Sequence, residues 1–123
     1  MKINIFNETH YSAIDEKKIT RLVKKILKKE HIKLDTLNII ITDNTYLKRL
    51  NKMFFRKNRP TNVISFKMDN VSEIYVSKNK VKSNEELFYY IVHGLLHIIG
   101  YEHKNRREEI LMENRCFEYI NDA

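Results

Sequence analysis

The stretch that decides the fold runs HGLLHIIGYEH from His93 to His103, and it holds three of the five histidines of the chain. His93 and His97 are four residues apart, so on a helix their side chains project from the same face, one turn apart. Gly100 is suited to end that helix in the left-handed conformation. The chain reversal that follows brings His103 back toward the other two. The pattern therefore predicts a helix, a sharp stop and three imidazoles that meet at one place.

Three imidazoles in that arrangement indicate a metal site. Three protein ligands with one open position are the ligand set of a catalytic zinc ion, whereas a structural site is closed by a fourth protein ligand. The spacing His-x3-His-x2-Gly-x2-His equals that of the metzincin zinc-binding motif. The alternative is that His93 and His97 are hydrogen-bonded core histidines beside an apolar stripe. Cys116 is the single cysteine, which excludes a cysteine-based zinc finger and leaves the binding of a metal mainly to histidine. We expect one zinc ion per chain, held by His93, His97 and His103.

The residue after the first histidine decides which chemistry that metal serves. In zinc peptidases it is a glutamate, the general base that activates water. Here the position is Gly94, which has no side chain, so proteolysis is disfavoured. Glu102 is the nearest carboxylate in sequence, but it lies beyond Gly100 and is not expected to substitute. Zinc also polarises phosphoryl oxygens, and a cation opposite it would stabilise the charge of a phosphodiester transition state.

Positive charge is in surplus over the whole chain and concentrated in one segment. The 123 residues hold 23 Lys and Arg against 16 Asp and Glu, a formal net charge of +7. That balance indicates a polyanionic partner, either nucleic acid or a membrane surface. The segment Lys48–Arg59 contains no acid and favours nucleic acid; its cations are Lys48, Arg49, Lys52, Arg56, Lys57 and Arg59. Phe54 and Phe55 within it are expected to be core residues rather than platforms on which bases stack.

The pattern of the rest of the chain predicts one α+β domain over residues 1–123, because strands and helices mix without strict βαβ regularity. We expect a small mixed sheet of about four strands with four or five helices. The predicted strands are Lys2–Asn7, Thr36–Thr42, Val63–Phe66 and Glu73–Val76, and the predicted helices are Asp15–Lys29, Thr45–Phe54, Asn84–Ile99 and Arg106–Ile120.

Individual side chains carry further expectations within these elements. The helix over residues 45–54 is expected to pack through Tyr46, Leu47, Leu50 and Met53. The buried stripe of the last helix is expected to be Ile110, Leu111, Phe117 and Ile120. His10 and His31 are expected at the surface.

The sequence carries no sign of export or of membrane insertion. The N-terminus alternates polar and apolar residues and lacks the continuous apolar stretch of a signal peptide. The longest nearly apolar run, Leu87–Tyr101, is interrupted by His93, Gly94 and His97 and falls short of the ~20 residues that a membrane span needs. We therefore expect a cytoplasmic protein with no membrane partner.

Several blocks of the chain, taken together, resemble the bacterial YbeY family of metal-dependent endoribonucleases and rRNA maturation factors. They are Leu50-Asn51, Phe55-Arg56, the run PTNVISF from Pro60 to Phe66, and the histidine block from His93 to His103. The blocks occur in family order, with an acidic strand segment between the last two. The resemblance extends over nearly the whole chain.

The resemblance implies a zincin-like fold with zinc on the three histidines of the block. It implies a single-strand-specific endoribonuclease that acts in maturation of the 16S rRNA 3′ end of the small subunit and in ribosome quality control. RNA and the ribosome or ribosomal proteins would be its partners, and no nucleotide cofactor is implied. The family's conserved arginine maps onto Arg56, with Arg59 as the alternative alignment because the intervening loop looks one residue shorter. Arg56 and the ligand His97 are thus the candidate catalytic residues.

Two carboxylates depart from the family pattern, and two other functions stay open. Glu102 stands where the family usually has Asp, and Glu73 stands in a Ser-Glu-Ile segment where Gly-Asp-Ile is usual. One alternative function is a non-catalytic ribosome-assembly factor whose metal is structural. The other is a zinc metallopeptidase, which Gly94 disfavours.

Overall fold

A computed structural model describes residues 1–8, 14–55, 62–80 and 83–122. For Phe55 and Lys80 it describes the backbone only. Its strands are β1 (Lys2–Asn7), β2 (Thr36–Thr42), β3 (Val63–Lys67) and β4 (Val71–Ser77). Its helices are α1 (Glu16–Lys29), α2 (Asn44–Phe55), α3 (Asn84–Ile99) and α4 (Arg106–Asn121), with a short 3-10 turn at Lys78–Lys80. The predicted α+β class is confirmed, and the predicted bounds differ from these by a few residues at most.

The four strands form one mixed sheet in the order β1-β2-β4-β3. β1 and β2 pair in parallel, as do β2 and β4, whereas β3 pairs with β4 in antiparallel register, with Ser65 opposite Ile74. β2 is central and buried on both faces, which explains its β-branched run Ile39-Ile40-Ile41. The antiparallel strand β3 lies at one edge of the sheet, beside α3.

Helices cover both faces of this sheet. α1, α3 and α4 pack on one face in the main core, where Ile39, Ile74 and Leu95 are fully buried. α2 packs on the opposite face through Leu47 and Leu50, which meet Ile64 of β3. Because side chains alternate along a strand, Ser65 of β3 faces the α3 side while Ile64 and Phe66 face α2. Among the helices of the described residues, none combines the length and hydropathy that a bilayer-spanning segment requires.

Side chains cap the starts of α1 and α3. The Asp15 carboxylate accepts the backbone N–H of Lys18 at 3.1 Å at the start of α1. The Ser83 hydroxyl accepts the backbone N–H of Glu86 at 3.2 Å at the start of α3. Such bonds satisfy amide groups that the first turn of a helix leaves unpaired.

The predicted buried stripe of α4 is wrong. The residues that pack on α3 are Met112, Cys116 and Tyr119. Ile110, Leu111 and Phe117 are exposed, and Ile120 is only half-buried. The sequence of α4 contains two stripes of residues at helical spacing, and the less apolar one is buried in the core. Burial of Tyr119 is tolerated because its hydroxyl donates to the carboxylate of Glu30, which follows α1. In α2, Met53 is likewise exposed rather than packed.

Candidate metal centre

The end of α3 is built as the sequence predicts. Gly100 has a φ of 125°, a conformation that favours glycine. The Gly100 N–H donates to the His97 carbonyl at 3.1 Å, and the Tyr101 N–H donates to the Leu96 carbonyl at 2.9 Å. This pair of bonds is the Schellman motif, which satisfies the last carbonyls of the helix and turns the chain sharply. The turn leads directly to His103.

The turn brings the three histidines together. The candidate ligand nitrogens of His93, His97 and His103 all lie within 4.8 Å of one another. The ring of His97 lies centrally, with its centroid 4.8 Å from that of His93 and 4.7 Å from that of His103. Within the described part of the chain, no thiol or carboxylate joins this cluster. His31 is exposed at the end of α1, and His10 lies outside the described residues.

Burial and mutual repulsion keep two of these imidazoles neutral. Burial, followed by the proximity of His97 and His103, lowers the pKa of His93 to about 4. Burial and His103 also lower the pKa of His97, and this is opposed in part by a hydrogen bond that the imidazole donates to the Tyr101 backbone. A histidine binds a metal as the neutral imidazole. Both rings are therefore in the form that binds a metal at neutral pH.

The residues present fit a zinc ion. The Nδ1 atom of His93 is buried and has no hydrogen-bond partner among the described residues. Burial of a polar atom without a partner normally lowers the stability of the folded protein. Imidazole nitrogen is a preferred ligand of zinc, and the cluster offers three such nitrogens within 4.8 Å of one another. The bond from His97 to the Tyr101 backbone is the kind of outer contact that fixes the orientation of a ligating imidazole.

Gly94 allows α3 to approach the sheet. A methyl group at this position would lie 2.8 Å from Cγ2 of Ile74 and 3.2 Å from Cγ2 of Val63. Any side chain at Gly94 would therefore point into strands β3 and β4 rather than into solvent. The close approach sets the neighbouring His93 beside the edge strand, and it leaves no room here for the glutamate of a peptidase.

The imidazoles line a cleft of about 270 Å³ between α3 and the edge strand. β3 and the residue before it contribute Asn62, Val63 and Ser65 to its walls, and α3 contributes Tyr89 and Tyr90. The sequence analysis did not identify these tyrosines, although Tyr89, His93 and His97 follow one another at intervals of four. The ring of Tyr89 stacks on that of His93 with centroids 6.2 Å apart, and burial raises the pKa of Tyr89 to about 12.

Polar contacts order the far wall of the cleft. The Asn62 side-chain amide donates to the Tyr90 hydroxyl at 2.9 Å.

The two carboxylates that depart from the family pattern lie away from the cleft. Glu102 points to solvent and pairs with Lys104 at 3.1 Å. Glu73, on the α2 face of the sheet, accepts the Tyr75 hydroxyl at 3.0 Å. Cys116 is buried in α4 and outside the cluster. Neither carboxylate reaches the imidazoles.

The predicted basic segment is described only in part. Lys48, Arg49 and Lys52 are exposed on α2, whereas Arg56, Lys57 and Arg59 lie outside the described residues. Phe54 is 59% exposed, and its ring meets that of Phe66 edge-on at 5.1 Å. The expectation that Phe54 is a core residue is therefore wrong, whereas the side chain of Phe55 lies outside the described part of the chain.

Comparisons with known proteins agree with this fold and identify the family. The family model described as Endoribonuclease YbeY matches residues 4–123. A protein named Endoribonuclease YbeY from Petrotoga mobilis is 39% identical over 89% of this chain and 85% of its own length. The protein of the same name from Syntrophomonas wolfei is 33% identical over 93% of this chain and 90% of its own. The solution structure of TM1509 from Thermotoga maritima superposes with a TM-score of 0.62, at 28% identity, over 96% of this chain and 88% of that one. The chain therefore belongs to the YbeY family.

Proposed function

We propose that this protein is a zinc-dependent, single-strand-specific endoribonuclease of rRNA processing, which matures the 16S rRNA 3′ end and serves ribosome quality control. The observation that carries the proposal is the convergence of three imidazoles on one cleft, within a chain whose relatives are named endoribonucleases. One zinc ion per chain, bound by His93, His97 and His103, is part of the proposal. So are a single domain over residues 1–123 and a cytoplasmic location, with rRNA and the ribosome or its proteins as partners.

The side chains around the cleft have different proposed roles in phosphodiester hydrolysis. A zinc ion, when bound, supplies Lewis acidity that polarises a phosphoryl oxygen and acidifies water. His93, His97 and His103 would hold the ion, and the ring of Tyr89 stacks on that of His93. The Ser65 hydroxyl and the Asn62 amide line the same cleft and offer hydrogen bonds to phosphate oxygens. Such contacts position an RNA backbone against the metal-binding face.

The exposed cations of α2 form the proposed RNA surface. Lys48, Arg49 and Lys52 lie on a helix without an acidic residue, and Lys57 and Arg59 continue the segment in sequence. Cations of this kind contact phosphates without regard to sequence. The exposed ring of Phe54 at the end of the helix supports base stacking, which single-stranded nucleic acid permits and a duplex does not.

Arg56 is the proposed cation for the transition state. A planar guanidinium suits two phosphate oxygens better than an ammonium group does. We expect Arg56→Ala to keep zinc at the wild-type stoichiometry and to lower the cleavage rate by about 10²–10³-fold, the usual effect of removing one electrostatic donor. Elemental analysis and single-turnover RNA cleavage measure the two quantities. If Arg56→Ala cleaves at the wild-type rate and Arg59→Ala does not, the role belongs to Arg59.

Metal removal tests the proposed function as a whole. Protein stripped with a chelator is expected to lose cleavage of a precursor rRNA fragment that ends in the 16S 3′ region, and one equivalent of zinc is expected to restore it. Duplex RNA of the same sequence is the substrate control and should stay intact. Mapping of the cut ends shows whether cleavage falls at the 16S 3′ end.

The two alternatives predict different results in that experiment. A structural metal predicts that chelation unfolds the protein, and that refolded, zinc-loaded protein binds RNA without cutting it. A peptidase predicts chelator-sensitive cleavage of casein, which the packing of Gly94 against Ile74 disfavours. Folded, zinc-loaded protein that binds RNA without cutting it, or that cuts casein but not RNA, would overturn the nuclease proposal.

A further inference from the structure

One carboxylate joins three separate parts of the chain near the end of α3. Glu30, which follows the last residue of α1, accepts the Tyr101 hydroxyl through Oε1 at 2.8 Å. Its other oxygen, Oε2, accepts the hydroxyl of Tyr119 in α4. Hydrogen bonds to an ionised acceptor are about twice as strong as those between neutral groups. The end of α1 is therefore tied both to α4 and to the turn that follows α3.

Tyr101 is the member of this network that reaches the imidazoles. Its backbone receives the hydrogen bond from the His97 imidazole, and it precedes His103 by two residues in sequence. Its hydroxyl also receives a hydrogen bond from Arg115 of α4. A rotation or displacement of Tyr101 would therefore move the contact that orients His97 and the segment that carries His103.

His103 depends on such anchors because its own side chain is exposed. The segment between α3 and α4 is held at its far end by the cap of α4. There Asn105 accepts the Glu108 N–H at 2.9 Å, and the Lys104 N–H donates to the Glu108 carboxylate at 3.1 Å. At its near end the Tyr101 hydroxyl is a side-chain anchor, through its bond to Glu30 and the bond that it receives from Arg115. Both ends must be fixed for His103 to stay beside His97.

We propose that Glu30, acting through Tyr101, is a positioning residue for the metal centre. This proposal rests on the proposed function, in which the three histidines bind zinc. Glu30 touches no imidazole in this arrangement; it holds Tyr101 so that His97 keeps its orientation and His103 stays within reach. Outer contacts of this kind raise metal affinity by holding the ligands in place before the metal arrives.

Two tyrosine variants separate this role from a general effect on stability. Tyr101→Phe removes the hydroxyl that binds Glu30 beside the metal centre, and Tyr119→Phe removes the hydroxyl that binds the same carboxylate from α4. We expect Tyr101→Phe to weaken zinc binding by about 10-fold or more, the lower end of the range for outer contacts. Tyr119→Phe should weaken it by less than about 3-fold, since it leaves the bond from Tyr101 to Glu30 in place. Competition with a chromophoric chelator measures both affinities without any RNA.

A spectrum and a third variant complete the test. The d–d bands of the cobalt(II)-loaded protein should shift in Tyr101→Phe and stay unchanged in Tyr119→Phe, because the bands report ligand geometry. Equal zinc affinities in Tyr101→Phe and the wild type, or equal losses in the two tyrosine variants, would overturn the positioning role alone. If His97→Ala binds zinc as tightly as the wild type, the metal centre itself is wrong and this proposal falls with it.

Discussion

His97→Ala is expected to abolish both metal binding and RNA cleavage. His97 is the central ring of the cluster, with the other two ring centroids 4.8 Å and 4.7 Å away. Loss of an outer contact alone costs about 10–100-fold in metal affinity, so loss of the ligand should exceed 100-fold. Cleavage should fall by more than about 10³-fold, because removing a single electrostatic donor from an active site already costs 10²–10³-fold. Elemental analysis and cleavage of the precursor rRNA fragment measure the two effects.

The chain offers a matched histidine for comparison. His31 is exposed at the end of α1 and has a φ of 57°. Asparagine tolerates that conformation better than most residues, so His31→Asn should keep zinc and activity at the wild-type level. Undiminished cleavage by metal-free His97→Ala would contradict the assignment of the histidines to catalysis.

Gly94→Glu is expected to prevent folding rather than to create a peptidase. The substitution restores the glutamate of zinc peptidases in sequence, but the side chain would start 2.8 Å from Ile74 and 3.2 Å from Val63. Overpacking of a core costs about 1–3 kcal/mol, and burial of a carboxylate without a partner adds a further penalty. We therefore expect a free energy of unfolding lower by about 4 kcal/mol or more. Urea denaturation and a casein assay measure stability and peptidase activity.

Two milder variants show whether space is the cause. Gly94→Ala should cost about 1 kcal/mol, because the gain in helix propensity partly offsets the contact with Ile74. At Gly100 a methyl group would meet nothing within 4 Å, and only the φ of 125° opposes it. Gly100→Ala should therefore cost about 1 kcal/mol through the backbone alone. A soluble Gly94→Glu protein with wild-type stability would show that α3 does not approach the sheet as closely as described.

Short-range signals made much of the fold predictable. The apolar period of α1, the cap Ser83 of α3 and the β-branched run of β2 each act over a few residues, so the sequence displays them directly. The meeting of the three histidines was predictable for the same reason, since Gly100 ends α3 with the reversal that leads to His103. The family resemblance rested on the same local blocks.

The parts that sequence reasoning missed depend on distant contacts. The buried face of α4 follows from how that helix packs in the main core, and the exposure of Phe54 follows from how α2 packs through Leu47 and Leu50. Glu30 carries no local sign of its role, because its partners Tyr101 and Tyr119 lie 71 and 89 residues away. Burial and pairing across such separations follow from how the elements pack, which periodicity does not reveal. The arginine assignment, Arg56 or Arg59, stays a prediction.

The turn at Gly100 has a thermodynamic consequence for the proposed centre. All three histidines come from one short stretch, so closing the chain around a zinc ion costs little conformational entropy even in a loosely folded molecule. The anchor at Glu30, by contrast, exists only when α1, the turn and α4 have assembled. Zinc at 100 times its dissociation constant would stabilise the folded state by about 2.7 kcal/mol, less whatever affinity the unfolded stretch retains. The zinc-induced rise in melting temperature therefore measures how much tighter the completed fold binds the metal than the bare segment does.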